Sequence, residues 1–261
     1  MKIGIQAENP LEALALALGL VPVPMAETLP TLLLARSLMA AARFGVFAAL
    51  SRQPLNAAEV AERCGTHPGA SRTLLDSLVS GGHLVLEGER YALSAVARKW
   101  LAPDSPLSLH DNLLFRYVEW DWIARLEEYL QHGRPLNIHG EMTIEQWSLY
   151  QRGMFAFAKL SAEELARRAP VPRGAREMLD LGGSHGFSSV VLCRKHSGLH
   201  ATVFDLPSAV EHAAPLLAEQ GMGDRVVHKS GDALTEDFGE EHYDFILVSQ
   251  FVHHFDGATN R

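Results

Sequence analysis

Apolar residues recur at helical spacing through most of the first 170 positions, after which short apolar runs alternate with amphipathic stretches. In "NAAEVAERCG" an acid, Glu59, stands three places after Asn56 and Gly65 closes the stretch, which predicts a helix opened by a capping box. From Pro68 to Ser80, Leu74, Leu75, Leu78 and Val79 share a face, and Gly81-Gly82 ends the run, predicting a second helix. "HLVLEG", a turn and "RYALS" then predict a two-stranded wing. Helices followed by a hairpin outline a winged helix.

The middle of the chain, about 106–170, reads as helical and aromatic-rich. It holds "LLFRYVEWDWIARLEEYL", a loop "HGRPLNIHGEM" and a long helix through "IEQWSLYQRGMFAFAKLSAEELARRA". "PVPRGAR" serves as a linker. Beyond it, apolar strands fit 177–181, 201–204, 225–228 and 243–249, with helices near 186–196 and 207–220. Strands alternating with helices imply an α/β unit built on a parallel, doubly wound sheet.

Composition narrows the class. The chain has 261 residues, 47% apolar and 21% charged, as expected of a globular protein with room for two domains. The longest apolar stretch, "LEALALALGLVPVPMA" from Leu11, is shorter than a membrane span and broken by Glu12 and two prolines, so it reads as a buried amphipathic helix and its exit. Acids at Glu8 and Glu12 stand where a signal peptide would be basic. Leucine-rich faces between Pro10 and Ala42 exceed what a small wing covers, which predicts a homodimer through these helices. Net charge is −8, and the residues after 173 are acidic, so neither half offers the basic face that nucleic acid requires. Two cysteines, Cys64 and Cys193, fit a reducing cytoplasm and no metal site.

The chemistry concentrates in "MLDLGGSHGFSS", where glycines follow an apolar run. A triphosphate loop would need Lys-Ser/Thr after Gly186, and Phe187-Ser188 stands there instead. The dinucleotide fingerprint would need glycine at Leu181. What remains is Asp180, Gly182, Gly183 and Gly186, a second acid, Asp205, at the next strand end, and a third, Asp232, after the strand that follows. An acid at the second position accepts hydrogen bonds from ribose hydroxyls. Acids without a phosphate-binding lysine suit a nucleoside with a positive centre, such as S-adenosylmethionine.

"LDLGGSHG", "ATVFDLPSAVEHA", "KSGDALTEDF" and "YDFILVSQFVHHFD" together resemble the small-molecule S-adenosylmethionine-dependent O-methyltransferase family, to which the whole chain is similar. The resemblance implies a winged-helix dimerisation domain over 1–105, a helical linker and substrate-pocket region over 106–172, and a class I, Rossmann-like cofactor domain over 173–261. It implies that Gly182, Gly183, Ser184 and Gly186 wrap the methionine part of the cofactor. Asp205 and Leu206 would lie at the ribose, Asp232 and Ala233 at the adenine, with Asp180 and Ser249 completing the site. Ser184 and His185 stand where the family has glycine and threonine. Serine is small enough to be tolerated, and His185 reads as a solvated loop residue.

"SQFVHHFDG" follows the fourth strand, at the sheet edge where ligands bind. Methyl transfer to a hydroxyl needs its proton removed, and imidazole accepts a proton at neutral pH. By position in the resemblance the base is His253. His254 points elsewhere if the segment is helical, and is assigned to the acceptor pocket with Trp122, Leu136, Asn137, Tyr150, Met154 and Phe157. Such a lining suits a flat phenol or polyketide-like hydroxyl. The resemblance also expects, past Arg261, three more strands and an acid that orients the base, and expects the chain without them to be inactive. Alternatives inside the fold are C-methylation, or use of the cofactor for decarboxylation or hydroxylation. One outside it is a winged-helix DNA-binding regulator.

Overall fold

The structure is a computed structural model that describes residues 5–134 and 136–260. The chain divides into two compact units, one running to Pro106 and one from Leu107.

In the first unit, α1 (Pro10–Ala17) and α2 (Val23–Arg43) precede α3 (Val46–Ser51), α4 (Ala57–Cys64) and α5 (Pro68–Ser80). The hairpin β1 (Leu84–Glu87) and β2 (Arg90–Leu93) and the helix α6 (Ala95–Trp100) complete it. The capping box forms: Asn56 Oδ1 accepts from the Glu59 amide at 2.9 Å, and Glu59 Oε2 accepts from the Asn56 amide at 2.8 Å. Such a cap is worth about 1 kcal/mol. Phe47, Leu50, Leu55, Leu75, Leu78 and Leu84 are buried, each removing side-chain area worth about 1.5–3 kcal/mol from water. Leu55 adds a strand-like bridge to Tyr91, whose hydroxyl donates to Asp76 Oδ1 at 2.6 Å and so ties the hairpin to α5.

One expectation fails here. The leucine-rich segment forms α1, but none of its residues is buried, and Leu11 is 79% exposed. The helix is apolar on most of its circumference, with Leu14 and Leu18 exposed as well, so no single face is set aside for this chain's own core. In α2 the division is sharper. Met39, Ala41 and Ala42 are buried near its end, while Met25, Leu29, Leu32 and Leu33 stay exposed before the midpoint.

The second unit opens with α7 (His110–Ile123), α8 (Leu126–His132), the short α9 (Ile138–Glu141) and α10 (Ile144–Arg168). The aromatic run is therefore two helices, broken at Ala124-Arg125. The stretch "HGRPLNIHGEM", whose Pro135 lies outside the described residues, contains one turn of helix. Four parallel strands follow: β3 (Glu177–Leu181), β4 (His200–Asp205), β5 (Val226–Ser230) and β6 (Phe245–Val248), in spatial order β5-β4-β3-β6. Helices α11 (Phe187–Lys195) and α12 (Pro207–Ala218) make the crossovers after β3 and β4. Met178, Val190, Leu192, Val203 and Leu217 form the core between sheet and helices.

The strand order turns back at β3: the chain proceeds outward through β4 and β5, then returns to the other side as β6. Parallel sheets bind ligands beyond the strand ends at such a reversal. Asp205 pairs in register with Ser230, and Leu181 with Val248, so the residues after these positions emerge along one edge.

Candidate active site

A cavity of about 570 Å³ opens at that edge. Of the residues singled out from sequence, its wall carries Gly182, Ser184, Asp205, Leu206, Asp232 and Ala233 from the expected cofactor set, and Leu136, Asn137, Tyr150, His253 and His254 from the expected acceptor set. Seven other candidates are not on the wall. Asp180 is buried beneath the loop, its Oδ2 accepting from Ser189 Oγ at 2.7 Å. Gly183 and Gly186 form the loop's inner side, and Ser249 lies on the exposed strand end. Met154 and Trp122 pack against the cluster around Phe115 and Trp147, and Phe157 is exposed on α10.

The glycine loop is shaped by what surrounds it. Gly182 has φ 68°, and a Cβ there would stand 2.3 Å from the ring of Phe251; one on Gly183 would stand 2.6 Å from the Asp180 carboxylate carbon. Neither position takes a side chain without displacing its neighbour. Ser184 has φ 53°, a left-handed conformation that costs a non-glycine residue about 1–2 kcal/mol. Three bonds hold it: its amide donates to Asp205 Oδ2 at 2.8 Å, its carbonyl accepts from His228 Nε2 at 2.8 Å, and its hydroxyl donates to Gln151 Oε1 at 2.5 Å.

His185 corrects a second expectation. It is buried, not solvated, with its ring against Phe155 and its Nδ1 accepting from the Phe187 amide at 3.1 Å. Burial drives its pKa down to about 4, so it stays neutral and structural.

Asp205 lines the cavity where β4 ends. Its Oδ1 accepts from the Leu206 amide at 2.8 Å, and Oδ2 from Ser184, leaving lone pairs on both oxygens. Burial raises its pKa against those hydrogen bonds. Asp232 is exposed at the rim, and Oδ1 takes the Leu234 amide at 3.0 Å. No lysine or arginine lines this cavity, among the described residues. The donor set therefore fits a nucleoside bearing positive charge and does not fit a phosphate.

Beside it on the wall, Val252–His254 form one turn of 3₁₀ helix. Both imidazoles line the cavity, with centroids 4.1 Å apart and planes tilted by 38°. This corrects the divergence expected of helical neighbours: a three-residue turn is no regular helix, and the rings lean together. His254 also meets His139 edge-on at 5.1 Å. Burial, then the charges of His253 and His139, hold His254 below the ordinary imidazole value, and burial does the same for His139. The phenol of Tyr150 is pushed up to about 12, by burial first and the Asp205 charge second, so it remains a donor.

Ten wall residues escaped the sequence reading, among them His139, Trp147, Gln151 and Phe251. His139 rides on α9, which Asn137 caps through the Gly140 amide at 3.1 Å and which an Arg125–Glu141 ion pair of 2.7 Å anchors to the start of α8. Its ring stacks on Trp147 at 5.7 Å and 27°. The local signal was Asn137 three residues before a glycine; the meeting with His254 is a tertiary fact. Gln250, at φ 55°, also lines the wall, so two of the three described non-glycine residues with positive φ border this cavity. Strain of this kind gathers at functional sites.

Residues 26–103 match the O-methyltransferase dimerisation domain, and residues 124–260 match the O-methyltransferase domain. The chain belongs to the S-adenosylmethionine-dependent O-methyltransferase family. It is 29% identical over 233 residues to the 3-hydroxy-5-methyl-1-naphthoate 3-O-methyltransferase of Streptomyces sahachiroi, covering 87% of this chain and 67% of that protein. It is likewise 29% identical over 232 residues to the N,N-dimethyltransferase OxyT of Streptomyces rimosus, covering 83% and 67%. The chain thus spans about two thirds of these relatives' length. Human N-acetylserotonin methyltransferase, solved in complex with S-adenosylmethionine, superposes with a TM-score of 0.77 at 19% identity, covering 98% of this chain and 75% of that one. Among the described residues no helix is long and apolar enough to cross a membrane.

Proposed function

We propose that the chain methylates a phenolic or polyketide-like hydroxyl, with S-adenosylmethionine at the Asp205 end of the cavity and the acceptor between Tyr150 and His253. The observation that carries this reading is the cavity itself: one wall brings together an acid, a glycine loop, imidazoles and aromatic rings. The family matches over 26–103 and 124–260 support the same reading. S-adenosylmethionine, when bound, supplies an electrophilic methyl group on a sulfonium.

The chain's own residues divide the remaining work. Asp205 accepts hydrogen bonds from the ribose hydroxyls, and Asp232 with Ala233 borders the adenine. His253 accepts the acceptor hydroxyl's proton on a ring nitrogen, leaving an oxygen nucleophile. Tyr150, protonated at neutral pH, offers a donor beside it, and Trp147 and Phe251 exclude water and fit a flat ring. The expected test is mass spectrometry of a full-length protein with S-adenosylmethionine and a panel of phenols: methylated product together with S-adenosylhomocysteine supports the reading, and cofactor binding without transfer to any hydroxyl defeats it. Transfer to nitrogen is a second reading, favoured by the relative named as an N,N-dimethyltransferase, and amines in the panel separate the two.

We also propose a homodimer formed through α1 and the first half of α2. The exposed leucines of those helices and the match to a dimerisation domain support it. Two free cysteines support a reducing, cytoplasmic setting.

A further inference from the structure

Gln151 is a side chain whose position the methyl-transfer reading does not use. It lies on α10, next to Tyr150, and is completely buried while still bordering the cavity. Its two polar atoms face different elements. Nε2 donates to the carbonyl of Ala209 on α12 at 3.3 Å, and Oε1 accepts from Ser184 Oγ at 2.5 Å. Removing either partner of a buried amide leaves a group without its bond, at a cost well above that of an exposed one.

Ser184 makes the other half of the arrangement. A glycine would hold φ 53° without strain, and it would have no hydroxyl to offer. The serine bears the strain and reaches α10. Its amide is also fixed to Asp205 Oδ2. A continuous path of hydrogen bonds therefore runs from Asp205 through Ser184 to Gln151, and from there to the helix that carries the acceptor wall.

We propose that Ser184 and Gln151 are positioning residues that transmit occupation of the nucleoside end to the acceptor wall on α10. This rests on the reading of the Asp205 end as the cofactor site. A ligand bonded to Asp205 restrains its carboxylate, the carboxylate restrains the Ser184 amide, and the Ser184 hydroxyl restrains Gln151. Tyr150 precedes Gln151 on the same turn, so the acceptor wall is ordered only once the cofactor end is filled. Coupling of this kind between two ends of a site runs from about fivefold upward.

The test is hydrogen exchange of the full chain with and without saturating S-adenosylhomocysteine, with binding verified by calorimetry. In the unsubstituted chain, amides of α10 flanking Gln151 should exchange about fivefold or more slowly when the ligand is bound. In Ser184→Ala, Ser184→Gly and Gln151→Leu, the glycine loop should still be protected by the ligand, while the change on α10 falls below about twofold. A brace with only a structural role would instead raise exchange on α10 equally in both states. Slowing of α10 that persists in all three variants overturns the proposal, as does ligand binding to the unsubstituted chain with no effect on α10. The glycine variant separates strain from the bond: if it alone keeps the slowing, the hydroxyl is not the carrier. Failure of the unsubstituted chain to bind S-adenosylhomocysteine overturns the cofactor assignment and this inference with it.

Discussion

The rings of His253 and His254 lie 4.1 Å apart on one wall of the cavity, so two adjacent imidazoles face the same space. Both are exposed to it, and His254 is held below the ordinary imidazole value by burial and by its histidine neighbours. With His253 as the base, His253→Ala should lower kcat about 10²–10⁴-fold, the usual worth of positioned proton transfer, and His254→Ala much less. S-adenosylhomocysteine affinity, measured by calorimetry, should barely change in His253→Ala. The reverse ranking would assign the base to His254.

Asp205→Ala should weaken S-adenosylmethionine binding by about 1.5–3 kcal/mol, the scale of hydrogen bonds to a charged group. The structure adds a consequence for folding. This carboxylate also takes the amides of Ser184 and Leu206, so the alanine variant should melt lower as well. Asp205→Asn, which keeps one acceptor oxygen, should lose less of both. Equal cofactor affinity in the alanine variant would remove Asp205 from the ribose.

Leu11, Leu14 and Leu18 should matter for assembly rather than for the fold of the unit they begin. Replacing all three with serine should convert a dimer into a monomer in analytical ultracentrifugation. Far-ultraviolet circular dichroism should change little, since these side chains are exposed in the single chain. A variant that remains dimeric would exclude α1 from the interface.

Two buried groups should bend the stability–pH curve in opposite directions. Burial raises Asp180 from 3.8 to about 6, so the folded chain holds a proton there that the unfolded chain has lost. That contribution is favourable at low pH and is lost as pH rises through about 4 to 6, leaving a cost above it. Burial lowers His185 from 6.5 to about 4, so its contribution is present above 6.5 and is lost as pH falls toward 4. Asp180→Asn should melt higher than the unsubstituted chain at pH 7.5, by on the order of 1–3 kcal/mol, with the gain vanishing near pH 4. His185→Gln should flatten the acid limb. Calorimetric melts across this range check both, and an unchanged profile in either variant defeats its part.

Elements with local start and stop chemistry were legible from the chain alone. The proline at Pro68 and the glycines after Ser80 bounded α5, and the apolar run 177–181 coincides with β3. The gathering of Asp205 and Asp232 at one sheet edge was legible too, because acids after successive parallel strands come to one edge whatever the loops do. The wall around the histidines was less so. His139 reaches the wall only because α9 folds back over Trp147, and nothing near it in sequence records His254. His185 was misjudged because its burial depends on Phe155 of α10, thirty residues earlier. The exposed α1 was misjudged because apolar character alone does not say whether a helix is covered by its own chain.

The ring of Phe251 occupies the place where a side chain at position 182 would begin. Phe251 opens the turn that carries His253 and His254, and it also packs on Phe255 at 5.1 Å on the turn's far side. A single methyl group added to the glycine loop would thus push on the histidine turn without touching either imidazole. The atom that residue 182 lacks is the space in which Phe251 seats the histidine turn.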